Sequence, residues 1–224
     1  MGHDQWLNDL RTASNDPDRL VALLNNELPL DGLQHAGTAA LTTTLTPGMA
    51  TALTGIVDAL RQRNWDGDND LAGALEHTSS GEPTGLIPLA IDLAELAEAL
   101  DESAGGDAYI DLHTGTVWPA ELLDIDQGPD DFDADDDTRW LPVTGQGSRP
   151  GWHVMERFVT TIDDPNLRQR LERAIVGSGA FRRFMNTLER DPEQFTRWHR
   201  YRADAELGRA RHWLTEHGYQ PQPS

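Results

Sequence analysis

The chain has 224 residues and a formal net charge of -20, from 38 acids against 18 basic residues. Every basic residue is arginine and no cysteine occurs, which excludes disulfides, thiolate metal sites, a cysteine nucleophile, a P-loop lysine and a Schiff-base lysine. Hydrophobic residues at 38% and charged residues at 25% describe a folded chain, and no apolar run approaches the roughly 20 residues that span a bilayer.

The opening MGHDQWLNDL carries neither a basic leader nor an apolar signal core, so the expectation is a cytoplasmic protein without membrane contact. Asp16-Pro17 reads as an N-cap with proline at the first helical position, followed by Leu20, Leu23 and Leu24 on one face. Thr46-Pro47 repeats the signal ahead of Met49, Leu53, Ile56, Val57 and Leu60. A short helix is expected from Leu71 to Glu76, and HTSSGEPTG at 77–85 reads as a linker closing a helical N-terminal region, 1–76. Ile87 to Ile91 is then a candidate strand, and Asp92 caps a helix carrying Leu93, Leu96, Ala97 and Leu100.

GGDAYIDLHTGTVWPAELL predicts a β-hairpin turning near Thr114-Gly115, and WLPV at 140–143 returns to the sheet. Beyond it, Trp152, Met155, Phe158 and Ile162 share a helical face, and Asp164-Pro165 starts a helix that Gly177 suits as a stop. Ser178 is the expected cap of the helix in AFRRFMNTL. Asp191-Pro192 opens another, and a separate last helix carries Leu207, Ala210, Trp213 and Leu214, leaving 220–224 as a tail. The fold class is therefore α+β: mostly helical, with a small antiparallel sheet followed by a C-terminal helical bundle.

DLAELAEAL, YIDLHTGTVW, GSGAFRRFMNTL and ARHWLTEHG, in that order, resemble the bacterial uncharacterised protein family UPF0158 over roughly 86–219. The resemblance implies a domain and brings no activity with it.

Charge is spread unevenly. Residues 86–145 hold 16 acids and one arginine, net -15, whereas 146–224 hold 10 acids and 13 arginines, net +3. In the basic part, Phe181, Phe184, Met185 and Leu188 fall at the spacing of a buried helix face, leaving Arg182 and Arg183 to its flank. Arg197, Arg200 and Arg202, with Arg209 and Arg211, lie among Trp198, His199 and Tyr201, the ingredients of single-strand nucleic-acid binding. Glu189, Glu193, Asp204 and Glu206 interrupt them, and an ion-paired helix surface is the plainer reading.

In the acidic part, Asp130, Asp131, Asp133, Asp135, Asp136 and Asp137 belong to a run of eight aspartates between 124 and 137. An EF-hand is excluded because Asp136 replaces the sixth-position glycine and Pro142 the twelfth-position glutamate. DGDND at 66–70 fails in the same way, and capping by Asp68 or Asp70 explains it. The run is expected to cover the arginine-rich helices or to mimic a phosphate backbone. His153 and Glu156 form HxxE rather than HExxH, His212 and His217 are poorly phased for one metal, and GSG lacks the later glycine of a dinucleotide loop. Asp111 and His113 share a strand face as an acid-base pair or as sheet-packing residues.

These readings point to a non-catalytic binding or regulatory protein with no metal or cofactor. Its acidic surface meets a basic protein partner that the sequence does not identify, or its arginine helices meet an anion. The alternative is an enzyme acting on nucleic acid or a phosphorylated small molecule, with the arginines as an anion clamp.

Overall fold

Four helices start where an oxygen-bearing side chain precedes proline, as the sequence predicts. Asp16, Thr46, Asp164 and Asp191 each accept from a backbone N–H of the first turn, at 3.2, 3.2, 2.8 and 3.1 Å. Each satisfies a donor that the helix cannot satisfy itself. The structure is a computed structural model and describes residues 3–101, 107–124, 128–129 and 131–222. Its helices are α1 (His3–Ala13), α2 (Pro17–Asn26), α3 (Leu33–Leu41, after a 3-10 turn at Leu30–Gly32), α4 (Pro47–Arg63), α5 (Asp68–Ser80), α6 (Leu93–Leu100), α7 (Ala120–Asp124), α8 (Ser148–Thr160), α9 (Pro165–Ala174), α10 (Ala180–Leu188) and α11 (Pro192–Glu216). The strands are β1 (Ile87–Leu89), β2 (Ala108–Asp111), β3 (Val117–Pro119), β4 (Trp140–Val143) and β5 (Tyr219–Pro221).

The hairpin forms as expected. β2 pairs antiparallel with β3 and β4, setting Tyr109 between Trp118 and Pro142 and Asp111 opposite Trp140. Gly115 takes φ 77°, and a Cβ there would meet the Ala90 carbonyl oxygen at 1.8 Å, so only glycine fits the turn.

Four local expectations are corrected. α5 runs on to Ser80, four residues into the supposed linker, with the Thr78 and Ser79 hydroxyls bonded back to the Ala74 and Leu75 carbonyls, and Gly81, at φ 73°, ends it. The two last helices are one 25-residue rod, α11. Residues 220 and 221 are not tail but strand, because β5 pairs in parallel with β1, Ile87 opposite Tyr219. Gly179, not Ser178, is the N-cap of α10, and it offers no side-chain oxygen.

Apolar packing divides into three clusters. The first joins α1 to α5 around Leu20, Leu33, Met49, Ile56 and Leu71. The second joins α8 to α11 around Phe158, Phe184 and Trp198. The third sets α6 and the sheet against Ala210 and Leu214 of α11. α11 thus touches every layer, and against the N-terminal helices it approaches main chain to main chain. A Cβ on Gly208 would lie 2.3 Å from the Asp66 carbonyl oxygen, and one on Gly67 2.0 Å from that of Gly208.

Candidate anion-binding site

At 100° per residue, α11 carries two polar stripes on opposite sides. Arg200, Asp204 and Arg211 face the N-terminal helices, and Trp198, Arg202, Glu206 and Arg209 face α8 and α10.

The first stripe is closed by ion pairs at Arg200 and Asp204 and by neutral partners at Arg211. Arg63 grips Asp68 through two bonds of 2.9 and 2.6 Å and Asp204 through one of 2.5 Å. Asp204 also accepts from the Gln34 and His35 backbone N–H groups at 2.8 and 3.2 Å and faces His35 Nδ1 at 2.9 Å. α3 has a glycine N-cap and no side-chain cap of its own, so a carboxylate from α11 supplies the missing anion. Burial acts to raise the Asp204 carboxyl, but His35 and Arg63 together hold it below the usual range. Arg200 meets Asp31 at 2.6 Å and Arg197 meets it at 3.5 Å. Asp68 is therefore a buried ion-pair partner rather than the helix cap expected of it.

The second stripe borders a cleft of about 630 Å³. Its walls bring together the starts of two helices, residues 147–149 of α8 and 179–181 of α10, with Trp152, Arg202 and Arg209. Both helices have glycine N-caps, Gly147 and Gly179, with no side-chain cap. Arg209 is 9% exposed and its Nε is shielded and unbonded; its guanidinium makes no ion pair among the described residues. Burial draws it below its ordinary pKa, with Glu206 and Asp101 opposing from farther off. Trp198 Nε1, in the same wall, is also buried without an acceptor. Arg202 is committed otherwise, to Asp101 at 3.1 Å and Glu206 at 2.5 Å.

The sequence-predicted residues separate on this map. Of Arg182, Arg183, Arg197, Arg200 and Arg202, Arg202 alone lines the cleft. Arg182 is exposed, and Arg183 is a staple: it donates to the carbonyls of Ala174, Val176, Gly177 and Ser178, tying the end of α9 to the Gly-Ser-Gly turn. Phe184 and Leu188 are core, but Phe181 is not; at 47% exposed it stands at the cleft, with the Arg202 guanidinium 5.5 Å from its ring. α10 packs through its later turns while its first turn overhangs the opening. Arg149, Trp152 and Arg209 carry no sequence motif, and only the phasing of Trp198, Arg202 and Arg209 on one face of α11 hinted at the site.

The described part of the acidic segment, 131–137, is anchored at the sheet rather than ion-paired to these helices. Asp130 lies outside the described residues. Asp131 pairs with Arg139, the single basic residue of 86–145, which also holds buried Asp111 at 3.1 Å and lies over the Trp140 ring. Asp111 accepts from the His113 N–H at 2.9 Å, so it braces the hairpin. Asp133 and Asp136 bond to the N–H groups of Asp135 and Thr138, and Asp133, Asp135 and Asp137 are exposed. None of the described aspartates of 131–137 forms an ion pair with the α10 or α11 arginines; Arg197 and Arg200 pair with Asp31 instead, and Arg202 with Asp101 and Glu206.

A larger cleft, about 770 Å³, opens between α1 and α3 on one side and the β1–α6 connection and the β2–β3 turn on the other. Its buried cation, Arg211, is bonded to Gln34 and Thr38, and burial brings its pKa to about 10. No group of three or more metal-ligating side chains occurs among the described residues, and none of their helices is long and apolar enough to cross a membrane.

Fold and cleft together define a mixed α+β domain whose arginine-lined opening lies wholly in the later part of the chain. The model described as Uncharacterised protein family (UPF0158) matches residues 86–223, and the chain belongs to that family. No curated protein and no solved structure matches the chain. Every residue of the 630 Å³ cleft falls inside the family segment, while the larger cleft also draws on α1 and α3.

Proposed function

We propose that the protein is a non-catalytic binding protein whose family domain holds an anion in the cleft between α8, α10 and α11. Arg209 carries the proposal. A guanidinium stays charged at any ordinary pH, and burying one without a directly paired anion costs several kcal/mol. An anion beside it offsets that cost and meets the free N–H groups at two helix starts. The same solution operates on the opposite side of α11, where Asp204 serves Arg63 and the start of α3. Binding rather than catalysis is favoured because the carboxylates in the cleft, Asp101 and Glu206, are both tied to Arg202.

Calorimetric titration with inorganic phosphate is the test. Saturable binding that is lost in Arg209→Met supports the reading. No saturable binding, or the same affinity in the variant, defeats it. The exposed Asp133, Asp135 and Asp137 form a separate acidic face suited to a basic protein partner, and their replacement by asparagine should leave phosphate binding unchanged.

A further inference from the structure

Resting on that reading, we infer that the ligand is a nucleoside monophosphate, its phosphate at Arg209 and its base against Phe181 and Trp152. Three observations carry the step from anion to nucleotide.

The first is the aromatic pair. Phe181 sits at a spacing that ordinarily buries a side chain, yet it is 47% exposed and lines the cleft. Trp152, half-buried, lines the same cleft with its indole N–H fixed on the Ile175 carbonyl at 2.9 Å. That bond holds the ring plane in place, as a stacking platform requires. Val154 and Met155 add apolar wall, which a bare inorganic anion would not use.

The second is charge. Among the described residues of the wall, Arg149, Arg202 and Arg209 face Asp101 and Glu206, leaving one positive charge in excess. Two uncapped helix starts add partial positive charge. Such a balance suits one phosphate group and resists a triphosphate, whose further charges would meet Asp101 and Glu206. A chain of net charge -20 likewise repels a polynucleotide.

The third is size. At about 630 Å³ the cleft lies in the middle of the range for small-molecule sites and has room for a base, a sugar and one phosphate.

The experiment titrates the full chain, by calorimetry, with the four ribonucleoside 5′-monophosphates, with inorganic phosphate and with the matching nucleosides. At least one monophosphate should bind about fivefold or more tightly than inorganic phosphate, the lower end of what one base stacked on an aromatic side chain contributes. Phe181→Ala should bring that nucleotide down toward the affinity of inorganic phosphate and leave phosphate itself unchanged. Arg209→Met should abolish both, and the exposed Arg149→Ala should weaken both if Arg209→Met does not fold. If phosphate binds as tightly as every nucleotide, or Phe181→Ala changes nothing, the nucleotide assignment fails while the anion site stands. If neither phosphate nor nucleotide binds, or Arg209 is indifferent to both, the two readings fail together.

Discussion

The two sides of α11 solve the same electrostatic problem differently. Toward the N-terminal helices, buried Arg63 and Arg200 each have an aspartate, and the uncapped start of α3 receives the Asp204 carboxylate. Toward α8 and α10, buried Arg209 has no partner among the described residues, and two helix starts lack a side-chain cap. Burial of arginine is common to both and so distinguishes nothing. The presence or absence of a partner for the guanidinium, a carboxylate at Arg63 and Arg200 and the Gln34 and Thr38 oxygens at Arg211, separates a structural contact from a site built for something outside the chain.

The contrast breaks most visibly at Asp204. Asp204→Ala should destabilise the protein by about 3–5 kcal/mol, because it leaves Arg63 short of a partner and α3 without its cap. Urea unfolding measures this, and a loss below about 1 kcal/mol would mean that the hub is incidental. Gly208→Ala comes next. Its methyl group would press on the Asp66 carbonyl and should cost about 1–3 kcal/mol by the same measurement.

Arg209→Met sharpens the comparison from the other side. It should leave stability unchanged or raise it by about 1 kcal/mol, since it removes an uncompensated charge. Destabilisation as large as that of Asp204→Ala would show Arg209 to be structural. The smallest effect is at His212, which sits 2.9 Å from Asp70; burial alone would lower its pKa, but Asp70 and Glu216 hold it raised. A raised folded pKa gives stability that is complete below the ordinary value of about 6.5 and lost as pH rises through the higher one. Thermal melts of the wild type and His212→Gln should therefore differ at about pH 6 and converge on the alkaline side.

What the sequence disclosed was local. Asp16, Thr46, Asp92, Asp164 and Asp191 act within four residues of themselves, so their roles were readable in a short window, and so was the Gly115 turn. The continuity of α11 was hidden because its apolar face changes side: Phe195 and Trp198 pack into the second cluster, and Leu207, Ala210 and Leu214 into the third, so a short window reads two helices. Gly208 sits inside the rod because another backbone needs the space. The hub was illegible for a related reason: Gln34 and Asp204 stand 170 residues apart, and nothing local marks either as the other's partner. The arginines were correctly seen as a group, but which are paired depends on carboxylates arriving from distant helices. Phe181 shared the apolar phasing of Phe184, and only the overhang of α10 separates a core ring from one facing a cleft.

The backbone contact between Gly67 and Gly208 bears on how this chain can be dissected. Scissors applied at residue 85 would isolate the stretch common to the family, yet they would also strip the cover from Arg200, Asp204 and Arg211. Such a fragment would present to water a helix flank shaped for burial, with ionised groups whose counterparts had been discarded. Work on the cleft is therefore best done with the N-terminal helices left attached.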